Sequence, residues 1–340
     1  MKLKLATLDD GSADGALCVV STDGTRGALA TQIAPNLLCA IEQWDAVAPA
    51  LDAHRVALDA GALIESESFV LDQARLRAPL PRTFQWCDGS AFLAHGALME
   101  RAFNTAPMPD AREVPLMYQG ASDDFLGPRD DVALPDEAHQ IDFEGEFGVI
   151  VGATPMGVSP REALGFIRLV VQLNDWSLRA FGPREMKTGF GFLHAKPSTS
   201  FAPMAVTPAA LGDAWRDGRL ALKLHVERDG AWFGEPDGRA MHFHFGELIA
   251  HAARTRALSA GTLIGSGTVS NEGAPAGSAC IAERRVLELL ESGQPRTPFM
   301  RFGDRVRMEA RSIDGMQAPF GVIDQRVVRI DNASHDHSNN

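Results

Sequence analysis

The sequence predicts an α+β chain in which strands outnumber helices. Short apolar stretches separated by Gly, Pro and Asp turns recur in its second half, at Leu220–Val226, Thr262–Ser266, Arg305–Ala310 and Gly321–Ile330. This pattern is typical of strands, and one helical pattern, Phe245–Arg256, lies among them. Because helices do not alternate with the strands, a doubly wound parallel sheet is not expected.

The chain opens with a β-rich module, which we place at residues 1–78. Lys2–Leu8 and Ala16–Ser21 are predicted strands of a hairpin, since turn residues join them. A helix is predicted from Asn36, and Pro49 should break or kink it. Its apolar positions recur at helical spacing, at Leu37, Ile41, Trp44, Ala48 and Leu51. The segment to Ala60 is expected to pack on the hairpin.

Pro79–Pro81 marks the start of a larger domain, residues 79–332, and the tail 333–340 is predicted to be disordered. Ser159–Glu162 has a capping serine, a proline at the first helical position and a glutamate three residues after the cap. A helix should therefore begin there and run towards Asn174. Asp175 would then lie at or just past a helix end.

Composition excludes several classes of protein. The chain has 340 residues, with 32 basic and 44 acidic ones, and its net charge of −12 opposes binding to nucleic acid or anionic membranes. No apolar run reaches the roughly 20 residues that a membrane helix needs, and the first ten residues do not resemble a signal peptide. We therefore expect a cytoplasmic protein. Its four cysteines are widely separated, which predicts buried free thiols.

Two glutamates, Glu144 and Glu146, interrupt the apolar stretch Ile141–Val151. Residues two apart on a strand share a face, and two adjacent carboxylates repel each other unless a proton or a cation intervenes. A third acid, Asp175, ends another apolar run, so the three suggest a hard divalent cation. A solvated edge strand is the alternative, but Phe147–Val151 has the pattern of a fully buried strand. Asp175 alone could also be an ordinary turn acid.

These acids and several segments in the same order resemble the fumarylacetoacetate hydrolase family, in a bacterial form. The resemblance extends from about residue 80 to about residue 330 and implies a fumarylacetoacetase-like mixed β-sheet roll. It is carried by the E-x-E pair and by segments of the chain at Pro115–Ser122, Asn174–Ser177, Phe192–Lys196, Ala260–Ser270 and Phe302–Val306.

The resemblance also implies a set of site residues. The metal ligands would be Asp88, Glu144, Glu146 and Asp175. The catalytic residues would be His95, seven residues after Asp88, with Glu283, Lys196 and Arg179. Tyr118, Ser90 and Thr268 would contact substrate. Alternatives remain for some of them: Asp88 could be a turn former and His95 a packed histidine, and Glu272 is a rival to Glu283. We interpret His242 and His244, which alternate on a predicted strand, as structural.

The implied reaction is hydrolysis of a C–C bond in a 1,3-diketo acid such as fumarylacetoacetate or an acylpyruvate. Mg2+ or Ca2+ would stabilise the enolate, and His95 with Glu283 would activate water. The family further implies a homodimer and a role in the catabolism of aromatic amino acids. Three family positions are changed, to Ser90, Gly182 and Asn104. A decarboxylase, isomerase or hydratase of 2-oxo diacids, or a non-catalytic keto-acid-binding homologue, therefore remains an alternative.

Overall fold

The structure is a computed structural model that describes residues 1–63, 68–73, 75–273, 275–315 and 317–330. The predicted disordered tail lies outside these residues. The helices are α1 Leu37–Glu42, α2 Trp44–Asp59, α3 Leu93–Phe103, α4 Pro160–Ala163, α5 Gly182–Thr188, α6 Phe245–Ala252 and α7 Ile281–Ser292. No helix among the described residues is both long enough and apolar enough to cross a membrane.

Strands make up most of the remaining regular structure. They are β1 Lys4–Leu8, β2 Ala16–Val20, β3 Arg26–Leu29, β4 Ser68–Val70, β5 Trp86–Gly89, β6 Met117–Gly120, β7 Val132–Leu134, β8 Ile141–Asp142, β9 Gly145–Val151, β10 Ile167–Asn174, β11 Ser177–Leu178, β12 Ser200–Phe201, β13 Ala205–Val206, β14 Trp215–Arg216, β15 Arg219–Leu220, β16 Leu222–Arg228, β17 Ala231–Gly234, β18 Leu263–Gly265, β19 Arg305–Ser312 and β20 Val322–Arg329. The predicted strand-rich α+β class is confirmed.

One large mixed sheet runs through the described part of the chain in the order β4-β3-β2-β1-β13-β10-β9-β18-β5-β6. Most neighbours are antiparallel, whereas β18 pairs with β5 in parallel. A second sheet has the order β17-β16-β19-β20-β7. The hairpin strands β1 and β2 are thus hydrogen-bonded into the sheet that also contains β9 and β10.

The central strand β9 is buried on both faces. Phe147, Val149 and Val151 belong to the core that also includes side chains of the second sheet, whereas Ile150 belongs to the core beneath α1 and α2. This arrangement confirms the prediction of a fully buried strand after Glu146. An acid on β9 therefore lies in the interior of the protein.

The helix predicted between Asn36 and Ala60 packs on the hairpin as expected, but it breaks at a different residue. Gln43, with φ −113°, separates α1 from α2, and Pro49 lies inside α2. Val47, Ala48 and Leu51 of α2 are buried against the hairpin core. This packing outweighs the one backbone hydrogen bond that a proline removes.

The helix predicted from Ser159 towards Asn174 is wrong beyond its first turns. The capping box at Ser159 is present, but α4 ends at Ala163, a 3-10 turn follows, and β10 begins at Ile167. β10 pairs along its length with β9, so sheet pairing overrides the local start signal. Asp175 consequently follows a strand end.

The two histidines predicted to alternate on a strand lie in a loop and at a helix start. His244 caps α6, where its Nδ1 accepts from the Gly246 amide at 3.0 Å. His242 donates through Nε2 to the Arg112 carbonyl oxygen at 2.9 Å. Both hydrogen bonds agree with a structural interpretation, although the strand assignment was wrong.

Candidate active site

Three acidic side chains converge because their strands are close neighbours in the large sheet. Asp88 lies on β5, Glu146 lies on β9, and Asp175 directly follows β10. The strand between β5 and β9 is β18, whose Gly265 lies opposite Asp88. A Cβ at Gly265 would lie 2.3 Å from Asp88 Oδ1, so this position has room only for glycine.

We call Asp88, Glu146 and Asp175 the three-acid group. One carboxylate oxygen from each lies within 4.8 Å of the others, and all three residues are buried. Burial and the neighbouring Asp175 raise the pKa of Asp88 to about 8. Burial, with Asp88 and Asp175 beside it, raises the pKa of Glu146 well above its ordinary value. The three carboxyl groups therefore resist being ionised together unless a cation lies between them.

A divalent cation fits the three-acid group. Both carboxylate oxygens of Glu146 are buried and have no hydrogen-bond partner among the described residues. Buried carboxylates normally bind donors or cations, and an all-oxygen set of donors suits hard ions such as Mg2+ and Ca2+. Asp88 and Asp175 are oriented by neighbours: Asp88 Oδ1 accepts from the Gly267 amide at 3.0 Å, and Asp175 Oδ1 accepts from Thr199 Oγ1 at 2.8 Å.

Glu144 lies outside the three-acid group and is paired with two cations. Its Oε1 accepts from Arg179 Nη2 at 2.5 Å, and its Oε2 accepts from Lys196 Nζ. Burial alone would raise the pKa of Glu144, but Arg179 and Lys196 hold it well below its usual range. Glu144 and Glu146 therefore have opposite pKa shifts, although both face the same cavity.

Lys196 connects the two sets of acids. Its Nζ donates to Glu144 and, at 2.5 Å, to Asp175 Oδ2, and it lies 5.4 Å from the centre of the Tyr118 ring. Burial opposes the charge of Lys196, but Asp175 and Glu144 raise its pKa, so the lysine is cationic. Tyr118 also donates to Asp175 Oδ2, at 2.6 Å. Burial and Asp175 raise the pKa of Tyr118 well above 10.0, so it remains a donor.

A histidine and a glutamate form a hydrogen-bonded pair beside these acids. His95 lies on α3, and its Nδ1 donates to Glu283 Oε1 on α7 at 2.9 Å. His95 Nε2 lies 3.9 Å from Glu144 Oε1, which is too long for a hydrogen bond. The structure thus places Glu283 against His95, whereas Glu272 lines a separate, smaller cavity.

The main cavity has a volume of about 650 Å³. Nine of the predicted site residues line its wall: Asp88, Ser90, His95, Tyr118, Glu144, Glu146, Arg179, Lys196 and Thr268. Asp175 and Glu283 are hydrogen-bonded to wall residues, Asp175 to Tyr118 and Lys196 and Glu283 to His95. Apolar side chains, including Met99, Met108 and Phe192, form another part of the wall. The cavity can therefore hold a polar group near the acids and an apolar portion away from them.

Two residues of the site were not predicted from the sequence. Asp142 is fully buried and accepts from Arg179 Nε at 2.9 Å, and Thr199 orients Asp175. Asp142 lies in the same apolar stretch as the two glutamates, so the argument used for them could have found it. Thr199 gave no such signal, because a threonine is ordinary in a strand-rich chain.

Comparison with known proteins agrees with this fold. The family model described as fumarylacetoacetate (FAA) hydrolase C-terminal matches residues 85–328, and that described as fumarylacetoacetase N-terminal domain 2 matches residues 3–82. A 2,4-didehydro-3-deoxy-L-rhamnonate hydrolase of Sphingomonas sp. (strain SKA58) is 30% identical over 157 residues. That match covers 45% of this chain and 52% of the relative, so the chain spans about half of that relative's length.

Two solved structures share the fold. Maleylpyruvate hydrolase from Sphingobium sp. SYK-6, in complex with manganese(II) and pyruvate, has a TM-score of 0.66 at 19% identity, covering 96% of this chain and 100% of its own. The 5-carboxymethyl-2-hydroxymuconate delta-isomerase from Mycobacterium smegmatis has a TM-score of 0.60 at 19% identity, covering 97% and 100%. Because the family model matches well over half of the chain, this protein belongs to the fumarylacetoacetate hydrolase family.

Proposed function

We propose that this protein is a metal-dependent hydrolase of a C–C bond in a 1,3-diketo acid such as fumarylacetoacetate or an acylpyruvate. The observation that carries the proposal is the His95–Glu283 hydrogen bond of 2.9 Å, with His95 and the acids Asp88 and Glu146 on the wall of one cavity. A general base and a candidate cation site thus face the same space. A general base can activate water, and a cation can stabilise the carbanion that leaves, so together they suit hydrolysis of a C–C bond.

Asp88, Glu146 and Asp175 would hold Mg2+ or Ca2+. Glu144, which the sequence predicted as a fourth ligand, is paired with Arg179 and Lys196 and is not part of this proposed set. When bound, the cation would act as a Lewis acid that polarises adjacent oxygens of the substrate. The manganese(II) and pyruvate of the Sphingobium complex motivate this choice of a divalent ion and a 2-oxo acid for the present chain.

His95 is the proposed general base. Because Nδ1 donates to the Glu283 carboxylate, Nε2 carries the lone pair and can take a proton from water. The resulting hydroxide adds to the substrate carbonyl carbon. The C–C bond then breaks, its electron pair stays with the departing carbon, and His95 returns its proton to that carbon. Glu283 orients the imidazole and stabilises its charged form.

Lys196 is proposed to bind an oxygen of the substrate. An ammonium group has three N–H donors, and Glu144 and Asp175 take two of those of Lys196. The remaining donor is available to a carboxylate or a developing oxyanion in the cavity. Such a preorganised donor contributes roughly 3–4 kcal/mol in a dry site. Arg179 donates to Asp142 and Glu144, so its contribution is to hold Glu144.

The test is to offer acylpyruvates, fumarylacetoacetate and oxaloacetate with Mg2+ and to follow the loss of enol absorbance. We expect acylpyruvate or fumarylacetoacetate to yield two acids from one, as confirmed by chromatography of the products. His95→Ala should lose this turnover, while Mg2+ affinity measured by calorimetry is retained. Purified wild-type protein that binds Mg2+ but cleaves no diketo acid would reject the hydrolase assignment.

An isomerase of 2-hydroxymuconate-type diacids is the second candidate. The delta-isomerase fold neighbour motivates it, as do the changed positions Ser90, Gly182 and Asn104. Asn104 ends α3 with φ 51°, a conformation that asparagine tolerates better than arginine does. Shift of a double bond without cleavage, seen as a spectral change with no new acid, would favour this candidate.

Several expectations stay predictions. They are the homodimer, the cytoplasmic location, the role in the catabolism of aromatic amino acids and the lack of a nucleic-acid or membrane partner. We propose them on the same grounds as before: the net charge of −12 and the family resemblance.

A further inference from the structure

Asp142 is a buried carboxylate to which the proposed chemistry gives no role. It ends β8, two residues before Glu144, and its exposure is 0%. A carboxylate at this depth is costly unless donors surround it. Its hydrogen bonds therefore indicate what the residue does.

The carboxylate of Asp142 caps the first turn of α7. Oδ1 accepts from the Ile281 amide at 2.7 Å, and Oδ2 accepts from the Ala282 amide at 2.9 Å. These amides belong to the group at a helix start that has no partner within the helix. The helix has its own cap residue in Cys280, but the Cys280 Sγ takes only the Glu283 amide, at 3.4 Å.

The helix start that Asp142 holds carries Glu283, the partner of the proposed general base. Glu283 follows Ala282 directly, and its side chain accepts from His95 at 2.9 Å. Its helix α7 packs against α3, which carries His95. A shift of the first turn of α7 would therefore change the orientation of the general base.

The same carboxylate also binds an arginine that lines the cavity. Asp142 Oδ2 accepts from Arg179 Nε at 2.9 Å, and Arg179 Nη2 donates to Glu144 at 2.5 Å. One carboxylate thus links the helix that carries Glu283 to the arginine that orients Glu144.

We propose that Asp142 is a positioning residue that fixes the His95–Glu283 pair relative to the Glu144–Arg179 pair. This inference rests on the proposed function, because it assigns His95 and Glu283 to proton transfer. Asp142 touches neither the cavity nor the reacting atoms, so it acts only through Glu283 and Arg179.

Asp142→Asn tests this role without changing the size of the buried side chain. The side chain keeps its shape, but the amide nitrogen is a donor and cannot accept from Ala282 or Arg179. We expect kcat to fall about 100-fold, the size of loss that small misplacements of catalytic groups produce. KM and the Kd for Mg2+ should change less than about threefold, because the three-acid group is untouched. If the asparagine variant does not fold, Asp142→Glu moves the charge by one methylene and serves the same test.

Gln172→Glu is the matched control. Gln172 is fully buried and makes two hydrogen bonds, from Nε2 to the Met308 carbonyl oxygen at 3.1 Å and from the Ala310 amide to Oε1 at 2.7 Å. The change again exchanges amide and acid at a buried site, but Gln172 bonds to β19 and is not among the residues that line the cavity. Its thermal stability should fall while kcat stays near wild type.

A double-mutant cycle with Glu283→Gln decides whether Asp142 acts through the pair. If it does, Asp142→Asn lowers the residual rate of the Glu283→Gln enzyme clearly less than it lowers the wild-type rate, and the loss that is left comes through Arg179. An equal, multiplicative loss in both backgrounds would overturn the proposal.

A readout without turnover keeps this test separate from the proposed function. In 15N-labelled protein, the ring nitrogens of His95 report its tautomer, and His95→Ala identifies the signals. We expect the Nδ1–H form in wild type and Gln172→Glu, and a changed pattern in Asp142→Asn. If wild type turns over no substrate, the proposed function fails. An unchanged His95 pattern in Asp142→Asn overturns the positioning role, whatever the substrate.

Discussion

Glu146→Gln should raise the stability of the metal-free protein and remove its response to metal. In wild type both buried oxygens of Glu146 lack partners among the described residues, beside two further acids. An unsatisfied buried polar group costs about 1–3 kcal/mol, and a charged one costs more. A glutamine removes the charge while keeping the shape. We therefore expect a gain of about 1–3 kcal/mol without metal, or roughly 2–6 °C in melting temperature.

Saturating Mg2+ should reverse this order. Binding to the folded state alone contributes about 2.7 kcal/mol at 100 times Kd, which corresponds to roughly 5 °C for a chain of this size. Wild type should gain this amount, and the glutamine variant should gain little, because it has lost a ligand. The assay is differential scanning fluorimetry in EDTA and in MgCl2.

The pH dependence of folding stability tests the same prediction in a second way. The pKa of Glu146 is raised in the folded state above its ordinary value of 4.5, because of burial and the neighbouring Asp88 and Asp175. A raised acid pKa means that its favourable contribution is complete below about 4.5 and is lost as pH rises. In EDTA the advantage of Glu146→Gln should therefore grow as pH increases from about 5 towards 8.

Glu144→Gln is the matched control, two residues away and equally buried. Its carboxylate is paired with Arg179 and Lys196, so its removal leaves two buried cations with less compensation. Breaking a buried pair costs about 3–5 kcal/mol, and the loss should appear with and without Mg2+. If Glu146→Gln melts below wild type in EDTA, or if Mg2+ stabilises it as much as wild type, the assignment of Glu146 is refuted.

Three further predictions concern the site and the thiols. His95→Ala should lower kcat by about 10²–10⁴-fold with Mg2+ affinity retained, and near-normal turnover would remove His95 from the mechanism. Gly265→Ala should weaken Mg2+ binding, because its Cβ would lie 2.3 Å from Asp88 Oδ1. Gly96→Ala, whose Cβ would have no atom within 4 Å, is the control. Equal Mg2+ affinities of the two variants would contradict the prediction. In a thiol titration of the native protein, Cys39 should react first. Burial raises the pKa of Cys18 to about 12 and that of Cys87 to about 11, and Cys280 is buried. Fast labelling of Cys18, Cys87 or Cys280 would count against the structure.

The sequence predicted strands well where burial and turns determined them. The apolar run of β9 and the hairpin of β1 and β2 follow directly from their residue patterns. The prediction from sequence failed at β10, where a local capping box predicted a helix and the pairing with β9 produced a strand. Cysteine burial was also only partly right, because Cys39 is half-buried. These errors depend on contacts between distant segments, which local patterns do not contain.

The candidate site, like the fold, could be predicted from the sequence only in part. Two unexpected charges in an apolar stretch identified Glu144 and Glu146 without any comparison. The partner of His95 could not be derived this way, because 188 positions separate it from Glu283; the family resemblance supplied it. Asp142 was not predicted, although it lies in the same apolar stretch, two residues before Glu144.

Burial alone does not explain why Glu144 and Glu146 differ, since their exposures are 4% and 0%. Their spacing predicts a shared face, and both do line one cavity. The difference comes from the neighbouring segments: the loop after β11 brings Arg179, and the segment before β12 brings Lys196, both to Glu144. Glu146 has no hydrogen-bonded cation among the described residues, and Asp88 and Asp175 lie beside it. The first glutamate is therefore ionised by protein cations, whereas the second needs a cation from solution, so only the second should make folding stability depend on metal.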